Sequence, residues 1–129
     1  MNPVESRLIT GTVGELLVQL RLFQYGVQAA PPLIDTGNDL IAVRGSTFKA
    51  IQVKTTGMEN GKWEIPRERN YHILALVRLC GENSELLLDK AEIYLLSRDS
   101  INTKKCNLND LQEYRISQAV VDRLIPSLK

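Results

Sequence analysis

Glu15, Asp39, Gln52 and Lys54 are the residues of this 129-residue chain whose types and spacing suit chemistry. A carboxylate beside a side-chain carbonyl offers oxygen ligands to a hard divalent cation, and an adjacent ammonium stabilises negative charge developing on a phosphoryl group. Glu15 lies seven residues from both Leu8 and Leu22 on an apolar helical stripe. A carboxylate there is costly unless paired or coordinated. Asp39 heads a predicted strand, and Gln52 and Lys54 share one face of the next because side chains alternate with period two. The backbone carbonyl of Val53, leaving the strand edge beside both, adds a donor. One His and two separated Cys, Cys80 and Cys106, cannot supply four zinc ligands, so any metal is held by oxygen: Mg²⁺ or Mn²⁺. Singly, each residue has a plain reading. Glu15 suits an ion pair, Asp39 a turn, Gln52 an exposed strand and Lys54 a solvated edge. Together on one predicted face, the four favour chemistry.

The elements that must position them are legible. Asn2-Pro3-Val4-Glu5 reads as a helix start and Gly26 as its stop, giving a largely enclosed helix over residues 3–25. Its wide apolar face holds Ile9, Val13, Leu16, Leu17, Leu20 and Phe23. Val27–Ala30 is extended, and Asp39–Val43 is a strand. Arg44-Gly45-Ser46-Thr47 is a four-residue loop, with Phe48–Lys54 the antiparallel partner. With Val43 opposite Phe48, Asp39 lies directly across from Gln52, their Cβ atoms about 5 Å apart. Residues 55–70 are polar and basic, with a short strand at Trp63–Ile65. The apolar run His72–Leu79 predicts a central strand buried on both faces. Leu86–Leu88 and Ala91–Leu96 follow as one interrupted strand or two short ones, residues 99–114 as irregular chain, and Ser117–Leu124 as a helix with Ile116, Ala119, Val120 and Leu124 inward. The order describes one α/β or α+β domain over residues 1–129.

At this point the chain resembles a known family. Gly14-Glu15, then Asp35-x-Gly37-x-Asp39-Leu40, then Ile51-Gln52-Val53-Lys54 is similar to the PD-(D/E)XK nuclease superfamily. Gln52 stands where most members carry Asp or Glu, as in certain intron-encoded homing endonucleases. The likeness to archaeal Holliday-junction resolvases is looser. It spans residues 11–56, and the family's Pro has no equivalent beside Asp39. The resemblance implies a restriction-endonuclease-like αβββαβ core, a mixed central sheet flanked by helices. It also implies hydrolysis of DNA phosphodiesters by a metal-activated water. Asp39 would then be the main metal ligand, Gln52 a neutral ligand, Lys54 the charge stabiliser, and Glu15 an accessory ligand or water anchor. Losing one negative charge at Gln52 implies that the ion binds more weakly or that Glu15 ligates it directly. The competing readings are a nuclease-fold module that binds DNA or protein without catalysis, and an interaction subunit in which Glu15 and Lys54 form a buried ion pair.

Composition agrees with a globular protein: 43% hydrophobic and 24% charged residues, net charge +1. Aromatics at 5% leave little for a base-stacking surface. Between residues 44 and 78 seven basic residues face three acidic ones. Lys49, Lys62, Arg67 and Arg69 of this stretch are candidate phosphate contacts. Asp35 suits a loop-positioning role, His72 a hydrogen-bonded, partly buried one, and Trp63 the core. Two cysteines make no disulfide framework, and no run nears the roughly 20 apolar residues of a membrane span, so a cytoplasmic location is expected. The partner expected is duplex or branched DNA. One site cuts one strand, so double-strand cleavage calls for a homo-oligomer, dimer or higher.

Overall fold

The computed structural model describes residues 6–34, 37–57, 62–66, 70–82, 85–101, 105–107 and 111–127. The predicted helix start at Asn2–Glu5, along with Asp35, Arg67 and Arg69, lies outside them. Helix α1 (Ser6–Gln24) leads into β1 (Gln28–Ala30), β2 (Leu40–Arg44) and β3 (Thr47–Thr56). Then come β4 (Lys62–Glu64), β5 (Ile73–Arg78), β6 (Gly81–Glu82), β7 (Glu85–Leu86), β8 (Glu92–Ser97), β9 (Lys105–Asn107) and α2 (Gln118–Leu124). The main sheet is mixed, in the order β1-β2-β3-β5-β8, with only β3 and β5 parallel.

The β2–β3 register is the predicted one, with Val43 opposite Phe48 and Leu40 opposite Ile51. The connection is tighter than the four-residue loop expected. Arg44 pairs with Thr47, leaving Gly45-Ser46 as a two-residue turn, and Gly45 sits at φ 60°, where glycine carries no Cβ penalty. The hairpin is fastened to the end of α2. Arg44 Nη1 donates to Asp122 Oδ1 at 2.7 Å and to the Ile125 carbonyl at 2.9 Å, and Thr47 Oγ1 donates to the Pro126 carbonyl at 2.8 Å.

Strand β5 is buried on both faces from Ile73 to Val77, as the apolar run predicts. Alternation along it separates two cores. Ile73, Ala75 and Val77 join Ile51, Val53, Val18, Leu22, Val120, Val121 and Ile125 under the helices. Leu74 and Leu76 join Trp63, Ile65, Tyr71, Tyr94, Leu96 and Leu111 on the opposite face. That second core is roofed by β4 pairing antiparallel with β9, a strand inside the stretch expected to be irregular. A three-residue strand carries too little periodicity to be seen without its partner. Trp63 is core, as expected, its Nε1 donating to the Val77 carbonyl at 3.2 Å. Among the described residues the crossover from β3 to β5 carries β4 rather than a helix, and the second helix, α2, comes after β8.

Two burial expectations are corrected. Helix α1 is not enclosed: it buries Gly14, Val18 and Leu22 against the sheet, while Leu16, Leu20 and Phe23 project into solvent. Its hydrophobic girth exceeds what one sheet face can cover. In α2 the inward pair is Val120 and Val121, and Ala119 is exposed, because Ser117 caps the helix through the Val120 N–H and so fixes its rotation.

Candidate active site

The site forms where β3 outruns β2. Leu40–Ile51 is the last ladder pair, and the Asp39 N–H still reaches the Ile51 carbonyl at 2.9 Å. Beyond it, the Val53 N–H meets a side chain rather than a strand, donating to Asp39 Oδ2 at 2.8 Å. Gln52 Nε2 donates to the same oxygen, also at 2.8 Å. Asp39 and Gln52 are thus joined across the hairpin end as the register requires. Two donors on one carboxylate oxygen fix the Asp39 rotamer.

Gln52 is only 6% exposed, and its Oε1 has no hydrogen-bond partner among the described residues. A buried amide oxygen without a donor costs free energy and calls for an explanation, such as a water or an ion. The neighbouring Asn38, which the sequence reading passed over, repeats the pattern. It is buried, its Nδ2 makes a long 3.5 Å contact with the Asn70 carbonyl, and its Oδ1 has no partner among the described residues. The only signal for it was a polar residue between Gly37 and Asp39. Val53 adds a third oxygen. The carbonyls of Ala50 and Thr56 accept from His72 and Leu79 on the β5 side, while that of Ile51 accepts on the β2 side. Alternation therefore turns the Val53 carbonyl toward Asp39.

These donors suit a hard cation: a carboxylate, an amide oxygen and a backbone carbonyl match Mg²⁺ or Mn²⁺ and fit no thiophilic metal. Among the described residues no three His, Cys, Asp or Glu side chains gather into a metal cluster, so neutral oxygens make up much of this donor set.

Lys54 follows on the same face as Gln52. It is half-buried, lies beside Leu76 of β5, and has no ion-pair partner among the described residues, which leaves the competing reading of a Glu15–Lys54 pair without support. Glu15 arrives from the other side of the sheet. Helix α1 covers the Ile51–Val53–Thr55 face, and Gly14 sits so tightly on Thr55 that an added Cβ would lie 1.8 Å from its Oγ1. Half-buried Glu15, one residue on, is carried to the level of Thr55, past the last β2 pair. The four residues therefore do not share one face: Gln52 and Lys54 do, Asp39 reaches Gln52 from beyond the end of β2, and Glu15 stands on the helix behind them.

Of the candidate phosphate contacts, Lys49 lies three residues from Gln52 toward the hairpin turn and, by alternation, on the opposite face. Lys62 belongs to β4, and nothing is described of its side chain. His72 is exposed rather than partly buried, and its Nδ1 accepts from the Ala50 N–H at 2.9 Å, a structural contact.

No known protein family and no curated protein matches the chain in sequence. Solved structures do match in fold. A bacterial homing endonuclease, I-Ssp6803I, superposes with a TM-score of 0.62 over 93% of this chain and 91% of its own, at 17% identity. Hjc, a Holliday junction resolvase from the archaeon Archaeoglobus fulgidus, superposes with a TM-score of 0.51 over 88% of this chain and 94% of its own, at 13% identity. The fold is that of these two nucleases.

Proposed function

We propose that this nuclease-fold protein is a metal-dependent DNA endonuclease that hydrolyses phosphodiester bonds at the Asp39, Gln52 and Lys54 site. One observation carries the reading: Asp39 is held by Gln52 and Val53 while the Gln52 amide oxygen is left buried and unpartnered beside it. Asp39, the Gln52 side-chain oxygen and the Val53 carbonyl would hold Mg²⁺ or Mn²⁺, with Glu15 as accessory ligand or water anchor. The bound ion supplies Lewis acidity toward a phosphate oxygen and lowers the pKa of a coordinated water. Lys54 places a fixed positive charge where the phosphoryl group gains negative charge. The Gln52 and Val53 N–H groups keep the Asp39 carboxylate in place, so little reorganisation is needed when substrate arrives. Lys49, Lys62, Arg67 and Arg69 are the proposed backbone contacts to duplex or branched DNA.

The test is incubation of purified protein with supercoiled, linear and branched DNA in Mg²⁺ or Mn²⁺. Cleavage that is lost on chelation and in Asp39→Ala and Lys54→Ala supports the reading. Cleavage that persists equally in both variants marks a contaminant and defeats it.

A second reading rests on the scarcity of acidic side chains at the site: a DNA-binding module without catalysis. Its mark is salt-dependent DNA binding with no metal requirement.

A further inference from the structure

His72, the single histidine of the chain, is held at three points. Its backbone N–H donates to the Ala50 carbonyl at 2.9 Å, and its own carbonyl accepts from the Arg98 N–H at 2.9 Å. The ring adds the third contact, Nδ1 accepting from the Ala50 N–H at 2.9 Å. A neutral imidazole carries one proton, and the nitrogen that accepts a hydrogen bond is not the one that holds it. The Ala50 bond therefore places the proton on Nε2. Because His72 is exposed, the result is an N–H donor on an accessible ring whose orientation is set before any ligand arrives.

The anchor point gives that donor a use. Ala50 lies on β3 two residues before Gln52 and four before Lys54, on the face those two share. His72 is thus fastened to the strand of the site roughly 7 Å along it from Gln52. Two cations stand close in the fold. Lys49 precedes Ala50 on β3, and Arg98 follows β8 with its guanidinium 4.5 Å over the ring of Tyr71, the residue before His72. Asp99, exposed, is the acidic residue beside Arg98 in the chain. A fixed N–H next to two positive charges suits a phosphate oxygen.

We infer, resting on the nuclease reading, that the His72 Nε2–H contacts a DNA phosphate next to the one held at Lys54, so that His72 positions the substrate strand along β3. The ring does this as a neutral donor and takes no part in proton transfer.

Two variants separate the donor from the fastening. His72→Asn keeps an acceptor at the Nδ1 position and removes the donor. His72→Gln brings an amide N–H near the Nε2 position and gives up the Ala50 bond. In Mg²⁺-dependent cleavage of supercoiled DNA, His72→Asn is expected to raise KM at least about tenfold at unchanged kcat, the scale of one hydrogen bond to a charged oxygen. His72→Gln should restore most of the wild-type KM although it melts at a lower temperature. A wild-type KM in His72→Asn is the mark of a purely structural contact and overturns the inference.

Nitrogen-15 spectra of the wild-type ring give a readout independent of cleavage, and one histidine makes their assignment unambiguous. On addition of a short duplex oligonucleotide in the presence of a chelator, the Nε2 resonance should shift and the Nδ1 resonance should stay. Duplex that binds, read by fluorescence anisotropy, without moving Nε2 overturns the contact and leaves the nuclease reading standing. A shift of Nε2 in a protein whose cleavage survives Asp39→Ala supports the contact and strikes the nuclease reading instead.

Discussion

Gln52 donates its amide N–H to Asp39 across the end of the β2–β3 hairpin at 2.8 Å, and its own carbonyl oxygen is buried without a donor among the described residues. An ionised carboxylate at this position could not donate that bond. The contact therefore shows how the site tolerates the neutral residue: Gln52 orients Asp39 rather than adding charge to it.

Substituting Asp39 tests both roles of the carboxylate. Asp39→Ala leaves the Val53 N–H and the Gln52 amide without their acceptor, which is expected to cost about 1–3 kcal/mol in urea denaturation. It is also expected to reduce DNA cleavage by at least about 100-fold, the scale of losing one group that acts on the transition state. Lys54→Met, by contrast, should lose cleavage on the same scale while Mn²⁺ still raises the melting temperature as in wild type.

Gln52→Glu replaces the donor with a second carboxylate facing Asp39. Like charges this close raise the pKa of the pair. A raised folded-state pKa gives stability that is full below the ordinary carboxylate range and lost as pH rises through the shifted value. Without metal, the variant should be less stable than wild type near pH 7 by about 1–3 kcal/mol, one pKa unit being about 1.4 kcal/mol. Mn²⁺ should then stabilise the variant more than it stabilises wild type, read as a larger rise in melting temperature.

Gly14→Ala weighs helix propensity against packing. Alanine gains about 1 kcal/mol in a helix interior, but its Cβ would meet Thr55 Oγ1 at 1.8 Å and Thr55 Cβ at 2.8 Å. Strand backbone and helix backbone must separate, and overpacking of this kind costs about 1–3 kcal/mol. Net destabilisation is expected in urea denaturation, with partial recovery when Thr55→Ala is added.

Tyr94, across Leu76 from Lys54, gives a pH test on a residue outside the proposed ligand set. It is fully buried, and its hydroxyl donates to Glu92 Oε1 at 3.0 Å. Burial, and then the hydrogen bond to Glu92, pushes its pKa above the usual tyrosine value of about 10. The folded state holds this proton more tightly than the unfolded chain. The stability it contributes is full below about pH 10 and lost as pH rises toward the folded-state value. Alkaline titration of thermal stability should show that loss in wild type and a shallower one in Tyr94→Phe.

Much of the frame was legible in the sequence because it depends on local rules. Val43 opposite Phe48 follows from hairpin closure, and that register brings Asp39 to the level of Gln52. The buried run from Ile73 to Val77 announces a central strand by its lack of alternation. What escaped depends on partners distant in sequence. Strand β9 exists because Cys106 pairs with Trp63. The exposure of Leu16, Leu20 and Phe23 depends on how much of α1 one sheet can cover. A helix wheel shows the stripe that holds Glu15 but not which side of the sheet the helix takes. Asn38 drew no notice because its significance lies in an unpartnered buried oxygen, which no residue pattern reveals.

The most direct measurement is a crystal structure of the protein soaked in Mn²⁺, read by anomalous scattering. A peak within coordination distance of the Asp39 carboxylate, the Gln52 Oε1 and the Val53 carbonyl is the result predicted, and it should vanish in Asp39→Ala. An empty gap at that position, with Gln52 Oε1 hydrogen-bonded to protein or water under saturating Mn²⁺, would contradict the proposed metal site and the hydrolytic function built on it.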